Sequence, residues 1–193
     1  QQVFDEAMVF CRFDDSNTHE NQPIHTNPSA VISQHPAQDF LSAGNHTDTL
    51  FVLVIGDSIP RSLHPWISQY RQGWIGKQQL PWSSDSLRID TTLQKFGHQP
   101  LLVLGMDWPT WGVKSRQIPK PWTRFICSIH DHQRQGMYIH FGHQYGIQSL
   151  GQAGCSTPII LAHEWNEYSM RAALRMAFGL AHHYSINNMT LPD

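Results

Sequence analysis

The stretch TLFVLVIGDSIPRSLHPW, Thr49–Trp66, carries the strongest structural signal in the chain. Its segment Leu50–Ile55 is continuously apolar and stops at Gly56, which is the pattern of a strand buried on both faces. Pro60 follows, and proline suits the first turn of a helix because that turn leaves its amide hydrogens unpaired. We therefore predict a buried strand, a turn, and a helix that runs to about Gln72.

A second helix is indicated further along the chain. Asp85 and the two serines before it offer N-cap oxygens, and Gly97 supplies a stop. The predicted inward side of this helix consists of Leu87, Leu93 and Phe96.

The remaining regular segments complete a strand and helix pattern. Pro100–Gly105 and Thr157–Ala162 read as buried strands, and a closing helix is expected from about Glu164 to His182. Residues 123–142 alternate apolar and polar positions, which predicts a β-hairpin. Together these elements favour an α/β fold, a mixed β-sheet with flanking helices.

The N-terminal quarter of the chain has a different character. Residues 14–48 contain three prolines and many Asn, Ser and His without a sustained period, although residues 3–13 are apolar enough for a strand or a short helix. The full length of 193 residues suits one domain. We expect an irregular N-terminal arm, residues 1–48, that wraps the core or contacts a partner, and a single α/β domain, residues 49–193.

The charge and hydropathy pattern excludes two classes of partner. The formal net charge is −2, with 13 Lys and Arg against 15 Asp and Glu and no sustained basic cluster, so a nucleic-acid partner is not expected. No apolar run approaches the roughly 20 residues that a membrane span needs, so no span is expected.

The three cysteines, Cys11, Cys127 and Cys155, share no CxxC or zinc-ribbon spacing. One disulfide with one free thiol is compatible with them, and the pairing stays open. The chain begins with Gln1, which a cleaved export signal or a trimmed chain would explain, and two segments fit the glycosylation sequon. We expect an exported protein, periplasmic or secreted.

Ser58 is the first candidate for chemistry. It lies just past the predicted first strand, where α/β folds place reactive groups, and helix amides beyond it could stabilise an oxyanion. A serine hydroxyl also needs a base within hydrogen-bond reach. The alternative is a structural turn in which Asp57 or Ser58 caps the helix.

Three segments resemble the SGNH/GDSL serine hydrolases. VIGDS, Val54–Ser58, looks like the first block of that family, and LLVLGMD, Leu101–Asp107, is similar to its third block without the Asn. LAHEWNEYSMRAA, Leu161–Ala173, resembles the last block, in which a base His precedes a closing helix, although Ile160 stands where the family has its Asp.

This resemblance implies a catalytic set and a substrate class. Ser58 would be the nucleophile and His163 the base, and Gly105 with the amides around Ser58 would form the oxyanion hole. Asp57, the carboxylate of the first block, joins them as a catalytic candidate. The implied reaction is hydrolysis of ester or acyl bonds in a small ester, glycan or lipid substrate, with no cofactor.

A second resemblance uses the same region without catalysis. FVLVIGDSIPRSLHPWISQ and the segment from Leu80 to Leu104 look like thioredoxin-like proteins of conjugative elements and type IV secretion systems. Ser58 would occupy the turn where a redox member has CxxC, and Pro100 would face that turn. This reading implies a non-enzymatic periplasmic assembly component whose partners are other protein subunits.

The 13 histidines offer a third function, metal binding. On the predicted hairpin His130 and His140 fall on one face, with His132 and His143 close by, and such imidazoles could hold zinc or copper. The alternative is a set of surface and loop histidines without metal.

Three tryptophans form a further cluster in the sequence. Trp108, Trp111 and Trp122 lie among prolines in a predicted loop. They could line a carbohydrate or acyl pocket, or cover a sheet edge as ordinary packing.

Overall fold

The computed structural model describes residues 8–11, 50–56, 63–70, 74–106, 117–130, 134–142, 144–162 and 166–178. Its six strands are β1 (Met8–Cys11), β2 (Leu50–Ile55), β3 (Trp74–Leu80), β4 (Leu101–Met106), β5 (Gly136–Phe141) and β6 (Ile159–Ala162). Its five α-helices are α1 (Leu63–Tyr70), α2 (Ser86–Phe96), α3 (Lys120–Ser128), α4 (Gln148–Gln152) and α5 (Glu167–Ala177), with a 3₁₀ turn at Gln144–Ile147 before α4.

All six strands form one sheet in the order β1-β6-β5-β4-β2-β3. The five strands from β2 to β6 run parallel, and β1 pairs antiparallel with β6, which makes the sheet mixed. The order changes direction between β3 and β4, because the chain moves outward from β2 to β3 and then returns to place β4 on the other side of β2. This arrangement is a doubly wound α/β fold and confirms the predicted fold class.

Helices α1 and α5 cover one face of the sheet. Leu63, Trp66 and Ile67 of α1 and the alanine-rich side of α5 pack there against alternate residues of the strands, such as Leu104 and Ile139. Leu174 and Ala177 of α5 and Phe178, which follows it, are buried there. Burial on this scale is worth about 25 cal/mol for each Å² of apolar surface removed from water.

Helices α2, α3 and α4 cover the opposite face. Ile89, Trp122 and Leu150, one from each helix, pack there on the other set of strand residues. Because both faces are covered, the strands β2, β4 and β6 are continuously apolar, as the first quoted stretch indicates.

The ends of α2 follow the sequence prediction. The carboxylate of Asp85 accepts a hydrogen bond of 2.8 Å from the amide of Arg88, and the chain leaves the helix at Gly97 with φ of 56°. Phe96 is buried as predicted, whereas the inward prediction for Leu87 is wrong because 76% of that side chain is exposed. Ile89 and Thr92 occupy the inward side instead.

The predicted hairpin over residues 123–142 is wrong. Its first half belongs to α3, and its second half is β5, which lies parallel between β4 and β6. The physical reason is visible in the spacing of four buried residues, three and four positions apart as one helical face requires: Trp122, Phe125, Ile126 and Ile129. Only in the second half of this segment does the period-two pattern correspond to a strand, β5.

Strand β3 has no counterpart in the sequence prediction. Its sequence WIGKQQL mixes Gly, Lys and Gln with few apolar residues, as an edge strand tolerates. The first seven residues, residues 12–49 and residues 179–193 lie outside the described part, but Met8–Cys11 joins the sheet as β1. Among the described helices, none is both long and apolar enough to cross a membrane.

Candidate functional site

The carboxyl ends of β2, β4, β5 and β6 meet at one edge of the sheet because these strands are parallel. At this edge the strand order reverses beside β2, and Ile55 of β2 lies in register with Gly105 of β4. In doubly wound sheets, ligands bind in the crevice outside such a reversal. We take this carboxyl edge as the candidate site.

Three of the eight site residues expected from the sequence lie within the described part, namely Gly105, His130 and His140. The other five lie outside the described residues: Asp57, Ser58, His132, His143 and His163. Three of those five still have informative chain neighbours. Asp57 and Ser58 follow Gly56 at the end of β2, and His163 follows Ala162 at the end of β6.

The exit of β2 is fixed by two hydrogen bonds to β3. The amide of Gly56 donates to the carbonyl of Leu80 at 2.9 Å, and its own carbonyl accepts from Nε2 of Gln79 at 2.8 Å. The backbone amide and carbonyl of Gly56 are therefore both held by the neighbouring strand. The chain leaves the sheet toward Asp57 from a defined position.

Gly105 has a steric role at the end of β4. The ring of Tyr138 lies against it so closely that an added Cβ would stand 2.7 Å from Cε2 of that ring and would overlap its hydroxyl. Only a residue without a side chain allows this approach. The oxyanion-hole role expected for Gly105 stays a prediction, beside this packing role.

Tyr138 and His140 form a buried pair next to Gly105. The Tyr138 hydroxyl and Nδ1 of His140 are 2.9 Å apart, and neither side chain is more than 1% exposed. His140 is in register with Gly105, so the pair lies near the carboxyl end of β5. The sequence analysis missed this pair, although an i, i+2 spacing on one strand puts both side chains on one face.

His130 and His140 do not share a hairpin. Nδ1 of His130 accepts a hydrogen bond of 3.3 Å from the amide of Gly136, the first residue of β5, whereas His140 is near the last. At roughly 3.3 Å per residue, Gly136 and His140 are about 13 Å apart along β5. Within the described ranges, no group of three or more His, Cys, Asp or Glu could hold a metal ion. A site that includes His132 and His143 stays a prediction.

Comparisons with known proteins inform the fold. No family model matches the chain, and no curated protein matches it. Among solved structures, a glycoside hydrolase family 3 β-N-acetylglucosaminidase from Paenibacillus sp. str. FPU-7 is similar, with a TM-score of 0.60 and 12% identity over 94% of this chain.

Two other solved structures are also similar. A fungal multi-domain family 3 β-N-acetylglucosaminidase has a TM-score of 0.53 at 12% identity, and the β-glucoside phosphorylase BglX has 0.51 at 10% identity. This chain spans 30%, 17% and 29% of the three proteins, in the order given. The likeness shows a shared fold. The resemblances to SGNH/GDSL hydrolases and to thioredoxin-like proteins stay predictions.

Proposed function

We propose that this chain is the α/β portion of a carbohydrate-acting hydrolase and binds a sugar at the carboxyl edge of its sheet. The observation that carries the proposal is the fold match over 94% of the chain to two β-N-acetylglucosaminidases and a β-glucoside phosphorylase. Because the chain spans less than a third of each, sugar binding is the part of the activity that we assign to it.

Two carboxylates support a sugar site at this edge. Asp57 comes directly after Gly56 at the exit of β2, and Asp107 directly after Met106, the last residue of β4. Strands β2 and β4 are neighbours at the strand-order reversal. Carboxylates accept hydrogen bonds from sugar hydroxyls, and pairs of them serve as acid and base in glycoside hydrolysis.

The direct test is calorimetric titration of the chain with N-acetylglucosamine and its β-1,4-linked dimer. We expect saturable binding that weakens about tenfold or more in Asp57→Asn or Asp107→Asn, because a hydrogen bond to a charged group is worth about 1.5–3 kcal/mol. Asp90→Asn is the matched control, since Asp90 is exposed in the middle of α2. The absence of saturable binding, or equal weakening in the control, contradicts the proposal.

A second candidate is hydrolysis of an ester or acyl bond through Ser58, with His163 as the base. The observation that favours it is the topology: Gly56-Asp57-Ser58 follows β2 beside Gly105 on β4, and His163 follows β6 at the same edge. Strands β2 and β6 are three positions apart, so their ends are separated by about 14 Å. The loops after these strands would have to reach across β4 and β5.

Fluorophosphonate labelling distinguishes this second candidate from the sugar-binding proposal. We expect labelling of the wild-type chain and its loss in Ser58→Ala and His163→Ala. Ser68→Ala is the control, because the Ser68 hydroxyl donates to the His64 carbonyl within α1. Labelling that persists in Ser58→Ala contradicts a Ser58 nucleophile. Acetate release from a peracetylated sugar, without glycosidic cleavage, would separate acyl hydrolysis from glycoside hydrolysis.

A further inference from the structure

Two thiols lie in the same hydrophobic cluster on the α3 side of the sheet. Cys127 is in the last turn of α3 and is half-buried, and Cys155 is fully buried between α4 and β6. The pKa of each thiol is shifted by a hydrogen bond with the other. Neither thiol has a role in the proposed function, and the following inference does not depend on it.

The backbone around the two thiols is held in place by bonds that do not involve sulfur. The Thr157 hydroxyl donates to the carbonyl of Ile126 at 2.6 Å, which ties the segment after Cys155 to the residue before Cys127. The amide of Cys155 donates to the Leu150 carbonyl at 3.1 Å. The bond between Thr157 and Ile126 therefore holds the two thiol-bearing segments next to each other.

This contact changes the acidity of both groups. The hydrogen bond from the Cys127 thiol lowers the pKa of Cys155, since it stabilises the Cys155 thiolate. The same bond, together with burial, raises the pKa of Cys127. The pair therefore loses its first proton more readily than an isolated thiol and holds its second more tightly.

We propose that Cys127 and Cys155 form a reversible dithiol–disulfide site that small-molecule disulfides oxidise. The half-buried sulfur of Cys127 admits the oxidant, and the buried sulfur of Cys155 completes the exchange. The resulting cross-link joins the end of α3 to the segment that leads into β6.

The exchange balances with oxidised glutathione as the oxidant. Water first takes one proton from the pair, which leaves the Cys155 thiolate. The Cys127 proton then passes to that thiolate, and the resulting Cys127 thiolate attacks one glutathione sulfur, breaks the glutathione S–S bond and releases one glutathione thiolate, which takes up a proton from water. Cys155 then loses its proton, and its thiolate attacks Cys127 Sγ to form the protein disulfide and release the second glutathione. Two electrons and two protons pass from the protein to glutathione.

The test uses the folded chain in a Cys11→Ser background, incubated with oxidised glutathione, quenched in acid and digested with trypsin. We expect a cross-linked peptide pair joining residues 125–134 to residues 135–171, reversed by reduced glutathione. In Cys155→Ser the reaction should stop at a mixed disulfide on Cys127. In Cys127→Ser, Cys155 should stay reduced, because its sulfur is buried.

Two results would overturn the proposal. One is a persistent mixed disulfide on Cys127 in the two-thiol protein, which would mean that Cys155 cannot reach it. The other is a cross-link that forms only in denaturant, which would mean that the folded arrangement does not support the exchange.

The pH dependence of the cross-linking rate provides a separate prediction. Because the folded pKa of Cys155 lies below the ordinary thiol value of 9.0, the thiolate form is present at lower pH than in an unfolded chain. We expect the rate to rise with pH through a midpoint below 9.0, measured by quenched-flow mass spectrometry. A midpoint at or above that value would contradict the thiol contact.

Discussion

Gly105 and Tyr138 are in close contact near the candidate site. The Gly105→Ala substitution should lower the free energy of unfolding by about 1–3 kcal/mol, because the new Cβ would overlap the Tyr138 ring. Urea unfolding measures this loss. In a Tyr138→Leu background the same substitution should cost less, since the ring is gone.

Gly97 provides a matched control for that prediction. Its φ is +56°, and a Cβ added there would have nothing within 4 Å. Gly97→Ala should therefore cost about 1 kcal/mol through backbone strain alone, with no dependence on Tyr138. If Gly105→Ala proves as mild as Gly97→Ala and equally independent of Tyr138, the steric role of Gly105 is wrong.

Individual residues of the candidate site could be predicted from the sequence only where an apolar run ended in a short motif. Gly56 and Gly105 were singled out in that way, and both lie at the carboxyl edge. The pairing of Tyr138 with His140 was not predicted, because a hairpin leaves that side of the strand toward solvent, whereas helices cover both faces of this sheet and bury both side chains. The role of a polar side chain inside an apolar strand can be inferred only when the neighbouring strands are known.

At the level of elements, α2 depends on its cap. Asp85→Ala should lower the free energy of unfolding by about 1 kcal/mol, because it removes the acceptor for the Arg88 amide. Asp85→Asn should retain most of the stability, since asparagine is an equally good cap. Leu87→Ala is the control and should change stability by less than about 0.5 kcal/mol, as its side chain is exposed. Thermal and urea unfolding report these differences, and equal losses in all three variants would refute the cap assignment.

Helix α2 was predicted well and α3 was not. Asp85 and Gly97 delimit α2 in the sequence itself. Helix α3 begins after Pro119 with no side-chain cap, so a proline in its first turn and its apolar spacing were the signals that remained. That spacing competed with a period-two pattern in the same residues, and the wrong period was chosen.

At the scale of the whole molecule, the fold class followed from alternating strand and helix signals, but the strand order did not. Three of the six described strands, β2, β4 and β6, were recognised from their apolar runs and β5 from its alternation, while β3 carries Gly, Lys and Gln and gave no such signal. The neighbours of a strand are residues distant in sequence, and a single sequence holds no record of which strands meet. Hence the strand-order reversal beside β2 emerged only from the structure.

Strand β1 should stabilise the far edge of the sheet. Deletion of residues 1–12 removes it and leaves β6, whose four residues are all buried, as an edge strand. We expect a lower free energy of unfolding, because several backbone hydrogen bonds worth about 0.5–1.5 kcal/mol each are lost, and more aggregation at the unpaired edge. Urea unfolding and light scattering test this.

The control for that deletion is removal of residues 1–6, which keeps Met8–Cys11 intact. It should behave like the full chain. Equal stability and solubility of the two truncated chains would show that β1 contributes nothing to the edge.

The pairing of β1 with β6 also sets a delay during synthesis. About 150 residues separate the two partners, whereas each parallel pair joins strands much nearer in sequence. At roughly 5–20 residues added per second, β6 leaves the ribosome on the order of 10–30 s after β1. The first strand to be made must therefore wait for the last one before it can take its place in the sheet.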